Sequence, residues 1–255
     1  MISRQMGWIL SPLELIGGAT RLGGRTMVCM FTPPLDLKEI ARQLDRIGVG
    51  SLNLTNITAL FTGMVLALQT AHALSMFGAR LYIGEIVALS LVRELGPVLT
   101  ALMVGGRVGS GITAEIGSMA VTEQVDAVRS MAADPVRKLV VPRVWATVVM
   151  LPLLTILADT MGILGGMLIG VLQEGLSPVF YLQRTFNVLS LDDIAVGLAK
   201  PVIFAFIIAI IGCRNGLAAR GGADGVGRAT TNTVYAAAIA ILVSDFFITK
   251  LFLSF

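Results

Sequence analysis

Five apolar stretches, each long enough to cross a lipid bilayer, constrain this chain of 255 residues more than any other feature. The hydrocarbon core of a bilayer is about 30 Å thick and needs about 20 residues of helix. The strands of a membrane barrel would instead alternate apolar and polar residues over about ten positions. The pattern therefore predicts an all-α integral membrane protein. Its five transmembrane helices are expected within Ile47–Ala79 and at about Ile86–Gly106, Val144–Leu172, Ile194–Cys213 and Thr231–Phe255.

The composition excludes several other classes of protein. Hydrophobic residues make up 55% of the chain and charged residues 14%, whereas a soluble domain has about 25% charged residues. No basic tract with interleaved aromatic residues is present, so no nucleic-acid partner is expected. His72 is the only histidine, and Cys29 and Cys213 lie far apart in apolar surroundings. We therefore expect no metal site and two reduced thiols.

The sequence also lacks the motif of a nucleotide-hydrolysing site. A P-loop needs a lysine that follows a glycine and precedes a serine or threonine. None of the four lysines follows a glycine. The chain is therefore expected to be no enzyme and to bind no cofactor of its own.

The distribution of basic residues predicts the orientation. The segment before the first span and the second and fourth loops hold six, five and three Lys or Arg residues, fourteen in all. The first and third loops hold only Arg80 and Arg184. Because basic loops stay in the cytoplasm, the N-terminus is predicted to be cytoplasmic and the C-terminus to lie on the other side.

Residues 1–46 are predicted to form interfacial helices on the cytoplasmic side, and residues 47–255 the five-helix transmembrane domain. Leucine and isoleucine recur at helical spacing over residues 37–47. Apolar residues between 8 and 16 indicate another helix upstream, and Pro33-Pro34 separates the two. Both are expected to lie in the membrane surface. The alternative is a short cytoplasmic helix packed on the rest of the protein.

The second loop predicts a short amphipathic helix at about residues 120–132. Acidic residues near its start and a basic residue near its end suit the helix dipole, and Asp134-Pro135 is expected to begin the next helix. The apolar stripe of the short helix must rest on the protein's own helix ends or on a partner, and the sequence leaves both open. The cap is Thr122, the charged residues are Glu123, Asp126 and Arg129, and the stripe is Val121, Val125, Val128 and Ala132.

Five charged residues fall inside the predicted spans: Arg93, Glu94, Asp159, Lys200 and Asp245. Each costs roughly 2.5–3.5 kcal/mol near the bilayer centre. Adjacent helical residues point about 100° apart, so Arg93 and Glu94 are expected to find partners on other helices. Such partners would be Lys200 for Glu94 or Asp245 for Arg93; the alternative is that the two charges face a wet cavity. They form either structural ion pairs or a polar patch in a substrate path.

Gly162, Gly166 and Gly170 repeat every four residues on the third span. Small residues at this spacing let helix backbones approach closely in lipid. They serve either the bundle of one subunit or the seam of a dimer.

Two long sequence blocks resemble a known family. They are "LVRELGPVLTALMVGGRVGSGITAEIGSM" and "TEQVDAVRSMAADPVRKLVVPR", and shorter blocks are "GMVLALQ", "ILADTMGILGG" and "GRATTNTV". The chain from about Gly48 onward resembles the MlaE-type permeases, the membrane subunits of ABC transporters that work with MCE proteins.

The resemblance implies a homodimer of five-span subunits in the bacterial inner membrane. A cytoplasmic ABC ATPase (MlaF-like) would hold ATP and Mg²⁺, with a small STAS-domain protein (MlaB-like) on it. A periplasmic MCE ring protein (MlaD-like) would exchange phospholipid with the permease and so maintain outer-membrane lipid asymmetry. The residues implied to couple to the ATPase are Thr122, Glu123, Val125, Asp126, Val128 and Arg129.

The resemblance also implies that the lipid lies between the two subunits. Its position on this sequence gives the lining as Leu66, Ala73, Leu74 and Phe77 of the first span, Arg93 and Glu94 of the second, and Lys200 of the fourth. Leu66, Ala73 and Phe77 fall near one helical face, which would form an apolar wall for acyl chains. Arg93 would bind a lipid phosphate, with Glu94 holding Arg93 or Lys200 in place.

Two other classes of function fit the intramembrane charges. A secondary transporter would use Glu94, Asp159 and Asp245 as proton carriers. A non-transporting membrane scaffold would need the charges only for stability.

Overall fold

The computed structural model describes residues 17–33 and 36–254, and every regular element in these ranges is a helix. Five of the helices, α2, α3, α5, α7 and α8, are long and apolar enough to cross a membrane. The prediction of an all-α membrane protein with five spans is thus confirmed. The helices are α1 (17–30), α2 (Leu37–Ser75), α3 (Arg80–Val121), α4 (Gln124–Ser130), α5 (Val136–Leu172), α6 (Pro178–Val188), α7 (Leu191–Leu217) and α8 (Gly222–Leu253).

The helix α2 starts ten residues before the predicted first span. Asp36 precedes it and accepts a hydrogen bond from the backbone N–H of Glu39 at 3.2 Å, as a helix cap does. The helix then continues through residue 46 without a break. The segment 37–47, predicted to be a separate interfacial helix, is therefore the first part of α2. The apolar residues between 8 and 16 lie outside the described residues.

The chain forms two compact units. The first comprises residues 17–33 and 36–43 together with Gly105–Thr147 and Phe206–Ala238. The second comprises Leu44–Val104, Val148–Ala205 and residues 239–254. Each unit therefore takes segments from several of the long helices.

Glycines allow α2 and α5 to approach closely within the second unit. A Cβ atom placed on Gly63 would lie 1.9 Å from the carbonyl oxygen of Gly162, and one on Gly165 would lie 2.2 Å from that of Leu60. A Cβ atom on Gly166 would lie 2.6 Å from the hydroxyl of Tyr181 in α6. The glycines at 162 and 166 thus serve the bundle of one subunit, which decides between the two uses that the sequence left open.

In the first unit, α1 is anchored to residues 134–145. Arg25 pairs with Asp134 at 3.1 Å, and the indole N–H of Trp145 donates to the carbonyl of Met30 at 3.2 Å. One face of α1 is buried at Cys29 and Met30, whereas Met27 and Val28 on other faces are exposed. The helix is therefore amphipathic and is tied to the segment that begins α5.

Candidate functional site

A charged pocket of about 200 Å³ lies in the second unit, where α7 begins and α8 ends. It is lined by charged residues from two helices, with apolar residues and a threonine beside them. Because such residues are expensive in a membrane, their concentration marks this pocket as the candidate site. The lining is Arg93, Glu94, Asp192, Asp193, Val196, Lys200, Thr249 and Phe252.

An irregular turn of α3 presents Arg93 and Glu94. Residues Leu91–Leu95 form a π-helical turn, a feature that is frequent at functional sites. Pro97 follows shortly after and has no backbone N–H to offer the carbonyl of Arg93, four residues earlier. Lys200 Nζ donates to that carbonyl at 2.9 Å instead. The proline therefore explains why a lysine side chain is bonded to the backbone of a membrane helix.

Lys200 is completely enclosed and holds Glu94 in place. Its side chain is 0% exposed, and its three N–H groups donate to the Arg93 carbonyl, to Glu94 Oε2 at 2.6 Å and to Thr249 Oγ1 at 2.8 Å. Asp245 Oδ1 lies 3.1 Å from Nζ as an ion pair, outside hydrogen-bond geometry. The predicted pairing of Lys200 with Glu94 is confirmed. The ammonium group itself offers no surface to a ligand.

Arg93 is bound by Asp193 rather than by Asp245, so the predicted pairing of Arg93 with Asp245 is wrong. Its Nε donates to Asp193 Oδ1, and its Nη2 forms an ion pair with the same oxygen. The reason is the close approach of α7, since a Cβ atom on Gly197 would lie 2.3 Å from the carbonyl oxygen of Val92. This contact brings Asp193, one turn before Gly197, to the side chain of Arg93. Asp245 is bound by Lys200.

Asp193 is fixed at the start of α7. Its Oδ2 accepts hydrogen bonds from the backbone N–H of Ser190 at 2.9 Å and from the Ser190 hydroxyl at 2.8 Å. The Ser190 hydroxyl in turn accepts from the backbone N–H of Asp193 at 3.2 Å. Sequence reasoning missed Asp192, Asp193 and Thr249. A serine three residues before an acid, ahead of an apolar run, resembles a capping box and was the available signal for Asp193.

The four apolar residues of the predicted first span that were expected to line the lipid site do not all lie together. Leu66 lines a separate groove of about 410 Å³, whose other members include Phe61, Val65 and Leu95. Leu66 and Leu74 also pack against the buried core of the second unit. Ala73 is exposed, and Phe77 is 83% exposed in the turn after α2. The groove adjoins the charged pocket along the chain, because Leu95 follows Glu94.

The short helix of the second loop is present, but its predicted cap is wrong. Thr122 directly follows α3, and its hydroxyl donates to the carbonyl of Ser118 at 2.8 Å. Glu123, at a left-handed φ of 61°, precedes α4 and makes no side-chain capping bond. The chain turns sharply here, so the threonine bonds back to the helix already formed. Asp134 caps the next helix as predicted, by accepting from the N–H of Val136 at 3.0 Å.

The stripe of α4 rests on its own chain at one position. Val125 is only 5% exposed, and Val128 is half-buried. Asp126 and Arg129 are exposed and pair with each other at 2.8 Å. Met131, just after the helix, is 72% exposed. The loop therefore combines a buried anchor with a mixed charged and apolar outer surface.

Asp159 stands apart from the charged pocket. Its Oδ1 is buried and has no hydrogen-bond partner among the described residues. Gly96 makes room for this side chain, since a Cβ atom there would lie 1.7 Å from the same oxygen. Of the three predicted proton carriers, Glu94 and Asp245 are thus bound to one lysine, and Asp159 lies elsewhere.

Comparison with known proteins decides the family. The model of the family "Permease MlaE" matches residues 40–251. The chain belongs to the MlaE permease family. A probable ABC transporter permease protein of Rickettsia felis is 48% identical over 239 residues, which cover 94% of this chain and 92% of the relative.

Other relatives of this MlaE-family chain are more distant. A probable ABC transporter permease protein of Synechocystis is 42% identical over 90% of this chain and 88% of its own length. The intermembrane phospholipid transport system permease protein MlaE of Haemophilus influenzae is also 42% identical, over 83% of this chain and 82% of its own length. The MlaE-family chain is therefore a multi-pass permease of an ABC transporter, whose ATP hydrolysis belongs to a partner subunit.

Proposed function

We propose that this permease moves phospholipid between the bacterial inner membrane and a periplasmic MCE protein, and so maintains outer-membrane lipid asymmetry. A separate cytoplasmic ABC ATPase, with a small STAS-domain protein bound to it, supplies the energy. The relative from Haemophilus influenzae, named as an intermembrane phospholipid transport permease, motivates the choice of cargo.

The observation that carries the proposal is the half-exposed guanidinium of Arg93 in the charged pocket. The Arg93 side chain is 52% exposed although it lies in a membrane-spanning helix. Asp193 occupies one edge of the guanidinium, and the other edge remains available for a phosphate. The apolar groove beside Leu95 would take an acyl chain. A headgroup site next to an apolar groove is what an amphipathic cargo requires.

The working unit of this proposal is a homodimer. The most apolar windows of α2 and α8 are only 22% and 11% buried in the single subunit. Such faces are covered by lipid or by a second copy of the chain, and α2 also carries the groove with Leu66. The excess of basic residues in alternate loops supports an orientation with the N-terminus in the cytoplasm and the C-terminus in the periplasm. The charged pocket, at the end of α8, would then open towards the MCE protein.

The proposal can be tested with Arg93→Gln and a closely matched control. Arg80 also lies on α3, is 55% exposed and pairs with a carboxylate, Glu174, at 3.0 Å. In proteoliposomes that hold the permease with its ATPase and MCE protein, Arg93→Gln should lower ATP-dependent lipid transfer by at least about tenfold, because a charge-assisted bond contributes about 1.5–3 kcal/mol. Arg80→Gln should transfer lipid like the unmodified protein.

Equal transfer by the two variants would refute the role of Arg93. If the purified chain alone moved substrate along a proton gradient, it would be a proton-coupled secondary transporter instead. Loss of stability in Arg93→Gln, without loss of transfer, would fit a membrane scaffold with no lipid site.

Coupling to the ATPase is proposed to run through the outer surface of α4 and Met131. Met131→Asp should lower the amount of ATPase that co-purifies with the permease, because it places a charge on an exposed apolar contact. Met76→Asp is the control, since Met76 is 80% exposed and precedes α3, whereas Met131 follows that helix. Val125→Asp is unsuitable, because Val125 is buried in its own subunit. Equal ATPase recovery with both methionine variants would contradict this contact.

A further inference from the structure

We propose that the charged pocket selects zwitterionic phospholipids, with Arg93 binding the phosphate and Asp192 binding the ammonium group of the headgroup. This inference rests on the proposed function in lipid transport and names the class of lipid that the pocket favours. It starts from the balance of charge around Lys200 and Arg93.

The pocket has an excess of negative charge. Its cations are Arg93 and Lys200, whereas its carboxylates are Glu94, Asp192 and Asp193, with Asp245 bound to Lys200 behind them. Two cations against four carboxylates leave a formal excess of two negative charges. A site built for an anion alone would have the opposite balance.

Few of the positive groups are accessible. Lys200 is 0% exposed and its three N–H groups are all engaged. Arg93 gives Nε and Nη2 to Asp193. One edge of one guanidinium is therefore the only cationic surface among the described residues that line this pocket. It suffices for the single phosphate of a phospholipid and for no further negative group.

The pocket also exposes carboxylate groups beside the free edge of the Arg93 guanidinium. Glu94 is bound to Lys200, yet its side chain is 42% exposed. Asp193 is occupied by Ser190 and Arg93. Asp192 is exposed, lines the pocket and forms no hydrogen bond or ion pair with any described residue. Asp192 is thus the carboxylate with the most free capacity to accept a cation.

The two kinds of headgroup differ in how they meet this surface. A zwitterionic headgroup carries an ammonium group a few bonds from its phosphate, so it can face Arg93 and Asp192 together. A lipid whose only charge is its phosphate can face Arg93 in the same way, but it offers Asp192 no cation. Two unit charges about 4 Å apart interact by about 1 kcal/mol in a water-like medium, which corresponds to about fivefold in affinity.

Asp192 also lies in the first turn of α7, where a carboxylate stabilises the helix dipole without any ligand. Asp224 provides a way to distinguish binding of the ammonium group from stabilisation of the helix dipole. It is an exposed carboxylate in the first turn of α8 and lies outside the charged pocket. Asp224→Asn therefore removes the same charge from the same kind of position, and it serves as the matched control.

The experiment measures lipid bound to the full-length permease in nanodiscs. The nanodiscs contain phosphatidylethanolamine and phosphatidylglycerol in equal amounts and with identical acyl chains. Native mass spectrometry counts the lipid retained on the protein after release from the disc. The unmodified protein and Asp224→Asn should retain about fivefold more phosphatidylethanolamine. Asp192→Asn should bring the ratio close to one, and Asp192→Lys should reverse it.

Replacing phosphatidylethanolamine by phosphatidylcholine should preserve the preference, since the positive charge remains. An equal ratio in the unmodified protein, or a preference for phosphatidylglycerol, would overturn the inference while retained lipid still supported the proposed function. An equal effect of Asp192→Asn and Asp224→Asn would also overturn it. Retention of neither lipid would overturn the inference and the proposed function together.

Discussion

Replacing Lys200 by methionine tests whether the enclosed ammonium group holds the charged pocket together. Methionine fills a similar volume but removes the donors to Glu94, to Thr249 and to the Arg93 carbonyl, and leaves Asp245 without a counterion. Removing one partner of a buried ion pair costs about 3–5 kcal/mol. For a chain of this size, that loss lowers the unfolding temperature by roughly 6–20 °C. Thermal unfolding of the purified protein in detergent measures it.

Two comparisons make the Lys200 test specific. Lys250→Met alters an exposed lysine of the same helix that carries Thr249 and Asp245, and it should leave the unfolding temperature unchanged. Adding Glu94→Gln and Asp245→Asn to Lys200→Met should recover part of the loss, because the unpaired carboxylates are then gone. If Lys200→Met unfolded at the temperature of the unmodified protein, the ammonium group would not be the element that holds the pocket together.

Two further predictions concern packing in the second unit. Gly63→Ala should destabilise the protein by about 1–3 kcal/mol, because its Cβ atom would meet the backbone of Gly162. Gly111→Ala, which meets no atom within 4 Å, should not, and equal unfolding temperatures for the two variants would contradict the close contact. Tyr181→Phe should leave stability unchanged or raise it, because the buried Tyr181 hydroxyl has no hydrogen-bond partner among the described residues and burial raises its pKa. A clear loss of stability in Tyr181→Phe would indicate a bonded partner for this hydroxyl.

Part of the candidate site could be predicted from single positions. A charge inside an apolar span needs a partner. Lys200 is the only lysine within the central part of a predicted span, and this made it a candidate partner for Glu94. The pairing of Arg93 could not be obtained in this way. It depends on Gly197, which lets α7 approach the backbone of Val92, and on the serine that fixes Asp193.

The second loop shows a similar limit. A threonine followed by acidic residues predicts a helix start, yet the hydroxyl of Thr122 bonds back to Ser118. Local composition cannot distinguish the end of one helix from the start of the next when only Thr122 and Glu123 lie between them. The sequence also left open whether Val125 packs against its own chain or against a partner. Its burial in the single subunit shows that it packs against its own chain.

The sequence by itself determined the class of protein, the five spans and the family. Apolar length is a property of the linear chain, and the thickness of the bilayer sets the length that a span requires. Only the tertiary structure decided which charges pair, which carboxylate of the pocket stays free and which side of α4 faces outward. Those outcomes depend on the distances between helices, and glycine contacts and the π-helical turn set these distances in three dimensions.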